Sequence, residues 1–159
     1  MAEQNPAIRW TGQQLELLDQ RLLPAEICYL PLQDAAAVAA AISDMVVRGA
    51  PAIGISAAYG AVLAARRASG QQNWQQLIDQ DLQLLAAARP TAVNLAWAVA
   101  GARRVIAAAG PDKLSAQLEA WAKTVHQQDI DACRQMGQHG AALLAGEARV
   151  YTHCNAGAL

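Results

Sequence analysis

The chain has 159 residues, of which 54% are hydrophobic and 16% are charged, and its formal net charge is −1. This length suffices for one ordinary domain with a sizeable core, and the near-neutral charge disfavours a general nucleic-acid or membrane-surface binder. The three cysteines, Cys28, Cys133 and Cys154, are far apart and lack CxxC spacing. Neither a zinc site nor a disulfide framework is therefore predicted, and a reducing, cytoplasmic setting is expected.

Short runs with partial alternation of apolar and polar residues lie near the start of the chain and predict β-structure. The turn-forming stretches TGQ and LLPAE separate these runs. The runs themselves are AIRW, QLELLD and EICYLPL, within residues 7–32. Together they predict a small antiparallel sheet, or a hairpin with an edge strand.

From Asp34 onward the apolar residues recur at helical spacing, which predicts a helical domain. Asp34 suits the N-cap of the first helix, Thr91 the N-cap of the fourth, and Gly110 the end of that fourth helix. The last segment contains Gly137 and Gly140, which are candidates for a break in the helix. The predicted helical segments are residues 34–47, 51–67, 73–89, 91–110 and about 113–145.

One uncharged stretch, GAPAIGISAAYGAVLAA, covers the 17 residues 49–65. It is rich in alanine and glycine and somewhat short for a bilayer, which needs about 20 apolar residues, so a buried helix is predicted. Pro51 suits the first turn of that helix. Small residues at positions 54, 57, 58, 61 and 65 share one broad face and indicate close packing against other helices.

Three stretches combine a polar entrance with the start of a helix: VVRGAPAIG, ARPTAVNLAW and THCNAGAL. Helix N-termini present unpaired N–H groups that favour anions, and Gly49 and Gly157 allow a ligand close to the backbone. Arg48 and Arg89 stand just before two of these helices, where a guanidinium can grip a phosphate with two parallel hydrogen bonds. A plain loop into a helix is the alternative interpretation of each stretch.

Cys154 allows two interpretations. It is either a small buried apolar residue or a reactive thiol whose pKa is lowered by the helix N-terminus that follows it. His153 precedes it on a predicted strand and would point to the opposite face of the sheet, so it is a poor activator of this thiol. The run GEARVYTHC indicates a change from helix to strand, with a boundary at about Gly146.

Other polar side chains are interpreted as structural. His126 and His139 are thirteen residues apart on the last helical segment, which is not a metal-ligand spacing. Gln128, Asp129 and Asp131 are typical of a polar helix face.

Four strings occur together in an order and spacing that resemble the N-terminal part of methylthioribose-1-phosphate isomerases. This family shares a superfamily with ribose-1,5-bisphosphate isomerases and the regulatory subunits of translation initiation factor 2B. The resemblance covers essentially the whole chain, and the second and fourth strings are its most specific parts. The strings are LLDQRLLP (17–24), VRGAPAIGISAAYG (47–60), RPTAVNLAWA (89–98) and THCNAGAL (152–159).

The resemblance implies an α+β fold: a small N-terminal antiparallel sheet and a helical domain, residues 1–146, then the first strand of a truncated Rossmann-like α/β domain, residues 147–159. It also implies conversion of 5-methylthioribose 1-phosphate to 5-methylthioribulose 1-phosphate in methionine salvage, with no metal or organic cofactor, by a homodimer. By match to the family motifs, Arg48, Gly49, Ala50 and Arg89 would bind the substrate, chiefly its phosphate, and Cys154 would be the active-site cysteine.

Complete members of the family are considerably longer, and their proton-donor Asp is expected beyond Leu159. We therefore expect the 159-residue chain to be incomplete and inactive by itself, with its last ten residues poorly ordered because their sheet is missing. Two alternatives are a non-catalytic sugar-phosphate-binding or regulatory relative and a ribose-1,5-bisphosphate isomerase. The sequence does not decide between a proton relay and a hydride shift for the isomerisation.

Overall fold

The computed structural model describes residues 6–144, 146, 149–151 and 153. Within these residues the chain first forms three strands, β1 (Ile8–Trp10), β2 (Leu15–Leu18) and β3 (Tyr29–Leu32). The remaining regular structure is helical. It comprises α1 (Ala35–Ser43), α2 (Ala50–Ala68), α3 (Trp74–Ala87), α4 (Val93–Ala108), a single 3₁₀ turn (Pro111–Lys113) and α5 (Leu114–Leu143).

The strands form one antiparallel sheet in the order β1-β2-β3, as the alternating runs predicted. Ile8 pairs with Leu17, and Leu15 pairs with Leu32. All four side chains are buried, whereas Glu16 between two of them is only partly buried. One face of the sheet therefore packs on the helices and the α+β class of this part of the chain is confirmed.

The first helix begins as predicted, because an Asp34 carboxylate oxygen accepts a hydrogen bond of 2.7 Å from the backbone N–H of Ala37. The helix ends at Ser43, so its predicted extension to residue 47 was wrong. Met45 has a positive φ of 58°, which ends the helical path. Val46 and Val47 beyond it are buried as connecting chain.

The second helix lies at the centre of the helical domain and packs against α1, α3, α4 and α5. Every residue from Ile53 to Ala65 is buried. Small side chains make this possible: a Cβ on Gly60 would lie 3.0 Å from a methyl carbon of Leu85, so neighbouring helices approach closely. The predicted buried helix is confirmed. No helix among the described residues combines the length and the apolar character needed to cross a membrane.

Both predicted caps of the fourth helix were wrong. Ala92, not Thr91, takes the N-cap position, and no side chain caps the helix. The Ala92 N–H donates to Arg89 O at 2.9 Å, so Thr91 lies inside a tight turn before the helix. At the other end Ala109 is extended, with φ −96° and ψ 143°, so the helix stops at Ala108. Gly110 instead precedes the 3₁₀ turn that begins at Pro111.

The fifth helix is continuous through Gly137 and Gly140, so the predicted break was wrong. Neither glycine has a neighbour within 4 Å of the place a Cβ would occupy, and the Leu144 N–H still donates to Gly140 O at 3.1 Å. An exposed glycine weakens a helix by about 1 kcal/mol, which a helix of this length tolerates.

The sheet is joined to the helices through Trp10. Its ring stacks on Tyr59 of α2 with centroids 4.9 Å apart, and its indole N–H donates to Glu119 of α5 at 3.0 Å. Glu119 also accepts from Arg66 and lies 2.7 Å from Lys123 Nζ. The Tyr59 hydroxyl is hydrogen-bonded to His126 Nδ1 at 3.2 Å, in keeping with the structural interpretation of that histidine.

We expect Glu119 to make the folded state sensitive to acid. Burial raises the pKa of its carboxyl, but hydrogen bonds from Lys123 and Trp10 and the charges of Lys123 and Arg66 outweigh this, so the pKa lies below its ordinary value of 4.5. The folded state thus prefers the carboxylate, and its contribution to stability is present above pH 4.5 and is lost as the pH falls through the lowered pKa.

This prediction is checked by urea denaturation between about pH 7 and pH 3 for the original chain and Glu119→Gln. The free energy of unfolding should fall more steeply with decreasing pH in the original chain, since the amide cannot be protonated in this range. Equal slopes in the two proteins would contradict it.

The predicted C-terminal strand stays a prediction. The described residues 149–151 and 153 form no strand pairing with the rest of the described chain, and Tyr151 is 90% exposed. Residues 145, 147, 148, 152 and 154–159 lie outside the described part. The boundary between residues 1–146 and 147–159 is therefore untested, as are the Rossmann-like strand and the expected poor order of the last ten residues.

Candidate phosphate-binding site

The N-termini of α2 and α4 meet at one end of the helical domain. A Cβ on Gly54, in the second turn of α2, would lie only 2.9 Å from the backbone oxygen of Asn94, in the first turn of α4. The contact joins the two helices close to both N-termini, so these two ends lie near one another. Two of the three predicted helix entrances are thereby brought together.

Gly49 is the N-cap of α2 and has φ 94° and ψ 131°, a conformation that essentially only glycine adopts. Its carbonyl accepts the first helical hydrogen bond from Ile53 N–H at 3.0 Å. Ala50 begins the helix, and Pro51 follows it and has no N–H. Gly49, Ala50 and Pro51 are exposed, so the unpaired N–H groups of this first turn face solvent.

Arg48 and Arg89 differ from the five arginines that pair with a carboxylate among the described residues. Neither guanidinium forms an ion pair or hydrogen bond with any described residue, although Arg48 is exposed and Arg89 is half-buried. Arg66 and Arg67 in α2, by contrast, each pair with a carboxylate from another helix. The two arginines before the helix N-termini therefore keep their positive charges available for an anion.

An open groove of about 390 Å³ adjoins the two helix N-termini. Its walls combine apolar surface with amide and carboxylate groups, which suits a polar ligand with an apolar substituent. Trp97 is half-exposed on the α4 wall. The lining residues are Pro51, Gly54, Ile55, Asn94, Trp97, Val125, Gln128 and Asp129.

Sequence reasoning did not single out the groove residues as a site. The sequence could have indicated Asn94 and Trp97 as neighbours in a site, because they lie three residues apart in RPTAVNLAWA and so share a helix face. Gln128 and Asp129 had no such signal, since a polar helix face is ordinary, and only the packing of α5 brings them to the groove. Cys154, the predicted catalytic residue, lies outside the described residues. Over the described ranges, no three His, Cys, Asp or Glu side chains cluster as a metal site requires.

The model of the initiation factor 2 subunit family matches residues 46–159 and includes both arginine-bearing helix entrances. The chain belongs to this family. The part of the chain that matches the family model begins at Val46, shortly after α1.

Curated relatives cover nearly the whole chain. A protein from Thioalkalivibrio sulfidiphilus named methylthioribose-1-phosphate isomerase is 53% identical over 154 residues, which are 96% of this chain and 44% of the relative. A protein of the same name from Alkalilimnicola ehrlichii is 52% identical over 155 residues, again 96% of this chain and 44% of the relative. The chain thus spans less than half the length of these relatives.

Solved structures also resemble the chain. The 5-methylthioribose 1-phosphate isomerase from Pyrococcus horikoshii superposes with a TM-score of 0.92 at 31% identity, covering 99% of this chain and 45% of that protein. The delta subunit of translation initiation factor eIF-2B from A. fulgidus superposes with a TM-score of 0.80 at 30% identity, covering 87% of this chain and 42% of that protein.

Proposed function

We propose that the chain is the N-terminal part of an aldose–ketose isomerase that converts 5-methylthioribose 1-phosphate to 5-methylthioribulose 1-phosphate. The observation that carries the proposal is the convergence of two helix N-termini, each preceded by an arginine without an acidic partner among the described residues. Such an arrangement suits a phosphate dianion. The names of the relatives, at 53% and 52% identity, supply the substrate class.

In this proposal Arg48, Gly49, Ala50 and Arg89 bind the phosphate. Arg48 and Arg89 supply charge and paired hydrogen bonds, and Gly49 lets the phosphate approach the first N–H groups of α2. The groove beside them, with Trp97 on one wall, is the place for the remainder of the sugar.

The chemistry requires a further group near C1 and C2 of the sugar. Phosphate on the anomeric carbon prevents ordinary ring opening, so an acid must protonate the ring oxygen. One hydrogen then moves from C2 to C1 and the C2 hydroxyl becomes a carbonyl, either through a proton relay or as a hydride. Atoms and electrons balance within the substrate, so no redox cofactor is consumed. We assign Cys154 to stabilising charge at C1–C2.

The finer features of the family resemblance are proposed with this function. Residues 147–159 would begin a Rossmann-like domain after the domain of residues 1–146, and the complete protein would be a cytoplasmic homodimer that takes part in methionine salvage. Its partners would be small sugar phosphates, without nucleic acid or membrane, in keeping with the net charge of −1. The likeness to the eIF-2B delta subunit favours a regulatory, non-catalytic relative as the second candidate.

The test joins these 159 residues to the part of the Thioalkalivibrio sulfidiphilus relative that follows the matched region. We expect this chimaera to isomerise 5-methylthioribose 1-phosphate, measured as ketose formed, and to leave ribose 1,5-bisphosphate unchanged. The C-terminal part alone is the control and should be inactive, since it lacks Arg48 and Arg89. A folded chimaera that binds the sugar phosphate without turnover would favour the regulatory candidate.

A further inference from the structure

An ion pair between Asp19 and Arg21 lies within the loop that follows β2. Asp19 is 3% exposed, and its carboxylate accepts from Arg21 Nε at 2.8 Å and from Arg21 Nη2 at 2.7 Å. The backbone N–H of Arg21 donates to the same carboxylate at 3.1 Å. The Asp19 N–H donates to Cys28 O at 2.8 Å, which ties the loop to the start of β3. These hydrogen bonds restrain the conformation of the loop.

The loop is bonded directly to the segment that leads into α2. Gln20 N–H donates to Val46 O at 3.0 Å. Val46 and Val47 are 2% and 0% exposed, and Arg48 follows them at the surface. Hydrogen bonding to Asp19 raises the pKa of the Arg21 guanidinium, and the negative charges of Asp19 and Asp44 add to this.

We propose that the Asp19–Arg21 pair positions Arg48 and the N-terminus of α2 for phosphate through the Gln20–Val46 hydrogen bond. Asp19 and Arg21 are positioning residues that do not touch the substrate. Only one residue, Val47, separates the hydrogen-bonded Val46 from Arg48, so a displacement of the loop would also displace Arg48. The inference rests on the proposed function.

A second ion pair provides a matched control. Arg67 binds Asp81 in the same bidentate way, with Nε–Oδ2 at 3.0 Å and Nη2–Oδ1 at 2.9 Å. The two arginine side chains are 45% and 47% exposed, and both carboxylates are nearly buried. Arg67, however, lies in the last turn of α2, far along the helix from Gly49. Lysine keeps the charge but cannot form the two parallel hydrogen bonds.

The experiment compares Arg21→Lys with Arg67→Lys in two ways. In the 159-residue chain, amide hydrogen exchange is followed at Gln20, which donates to Val46 O, and at Ile53, which donates to Gly49 O. We expect Arg21→Lys to speed exchange at both by about tenfold, and Arg67→Lys to leave them unchanged. In the chimaera, Arg21→Lys should raise KM by about tenfold and keep kcat within about twofold, whereas Arg67→Lys should change neither.

Each outcome is decisive. Unchanged exchange and KM in Arg21→Lys, or equal changes in Arg67→Lys, would overturn the inference. A raised KM without faster exchange would also overturn it, because Arg21 would then contact the substrate itself. If the unsubstituted chimaera is inactive, the proposed function fails, and the affinity of the 159-residue chain for inorganic phosphate, by NMR titration, replaces KM as the readout.

Discussion

Replacing Gly54 by alanine is expected to lower the free energy of unfolding by about 1–3 kcal/mol, which is the usual cost of inserting a methyl group into a packed interior. The added Cβ would lie 2.9 Å from Asn94 O and 3.3 Å from Asn94 Cβ. The first of these atoms belongs to the backbone of α4, so relief requires a helix to shift. Urea denaturation of the purified chain measures the change.

Gly137→Ala is the matched control, because this residue also lies inside a helix but has no atom within 4 Å of the added Cβ. There the better helix propensity of alanine should stabilise the chain by about 0.5–1 kcal/mol. Opposite signs for the two substitutions are therefore expected. If Gly54→Ala were as favourable as Gly137→Ala, the close contact between α2 and α4 would be wrong.

Arg48→Ala and Arg89→Ala should each lower kcat/KM of the chimaera for 5-methylthioribose 1-phosphate by about 10–100-fold. A hydrogen bond to a charged group contributes about 1.5–3 kcal/mol, and each guanidinium is proposed to donate such bonds to the phosphate. The two changes act on one ligand group, so the double variant need not show their product. Steady-state kinetics at several substrate concentrations give the values.

Arg104→Ala is the control for charge alone. Arg104 is exposed on α4, and its guanidinium, like those of Arg48 and Arg89, has no ion pair with a described residue. Its removal changes the net charge by the same amount at a distance from the helix N-termini, so kcat/KM should be unchanged. A comparable loss in all three variants would mean that general charge attraction, not a phosphate site, explains the effect.

Local features of this fold were predictable from the sequence. The alternation in QLELLD predicted β2, and Asp34 predicted the start of α1, because each signal involves residues near one another in the chain. The small residues around Gly54 predicted close helix packing, because a helix with small side chains on one face allows any neighbouring helix to approach closely. Family resemblance then added the roles proposed for Arg48 and Arg89.

Long-range contacts were not predictable. Glu119 and Trp10 are 109 positions apart, and nothing local to either residue indicates their hydrogen bond. The predicted N-cap at Thr91 was wrong because a tight turn from Arg89 to Ala92 competes with side-chain capping. The intrinsic preferences of the residues do not show which of the two arrangements forms. The groove likewise depends on three helices, and only their packing places Gln128 and Trp97 on the walls of one groove.

The proximity of the α2 and α4 N-termini has an electrostatic consequence. Each helix acts as a dipole with about half an elementary positive charge at its N-terminus, so the two ends repel one another. The Gly54–Asn94 contact holds these like charges together at some cost to the folded state. An anion seated between them cancels that repulsion, so ligand affinity and fold stability are thermodynamically linked at this end of the molecule.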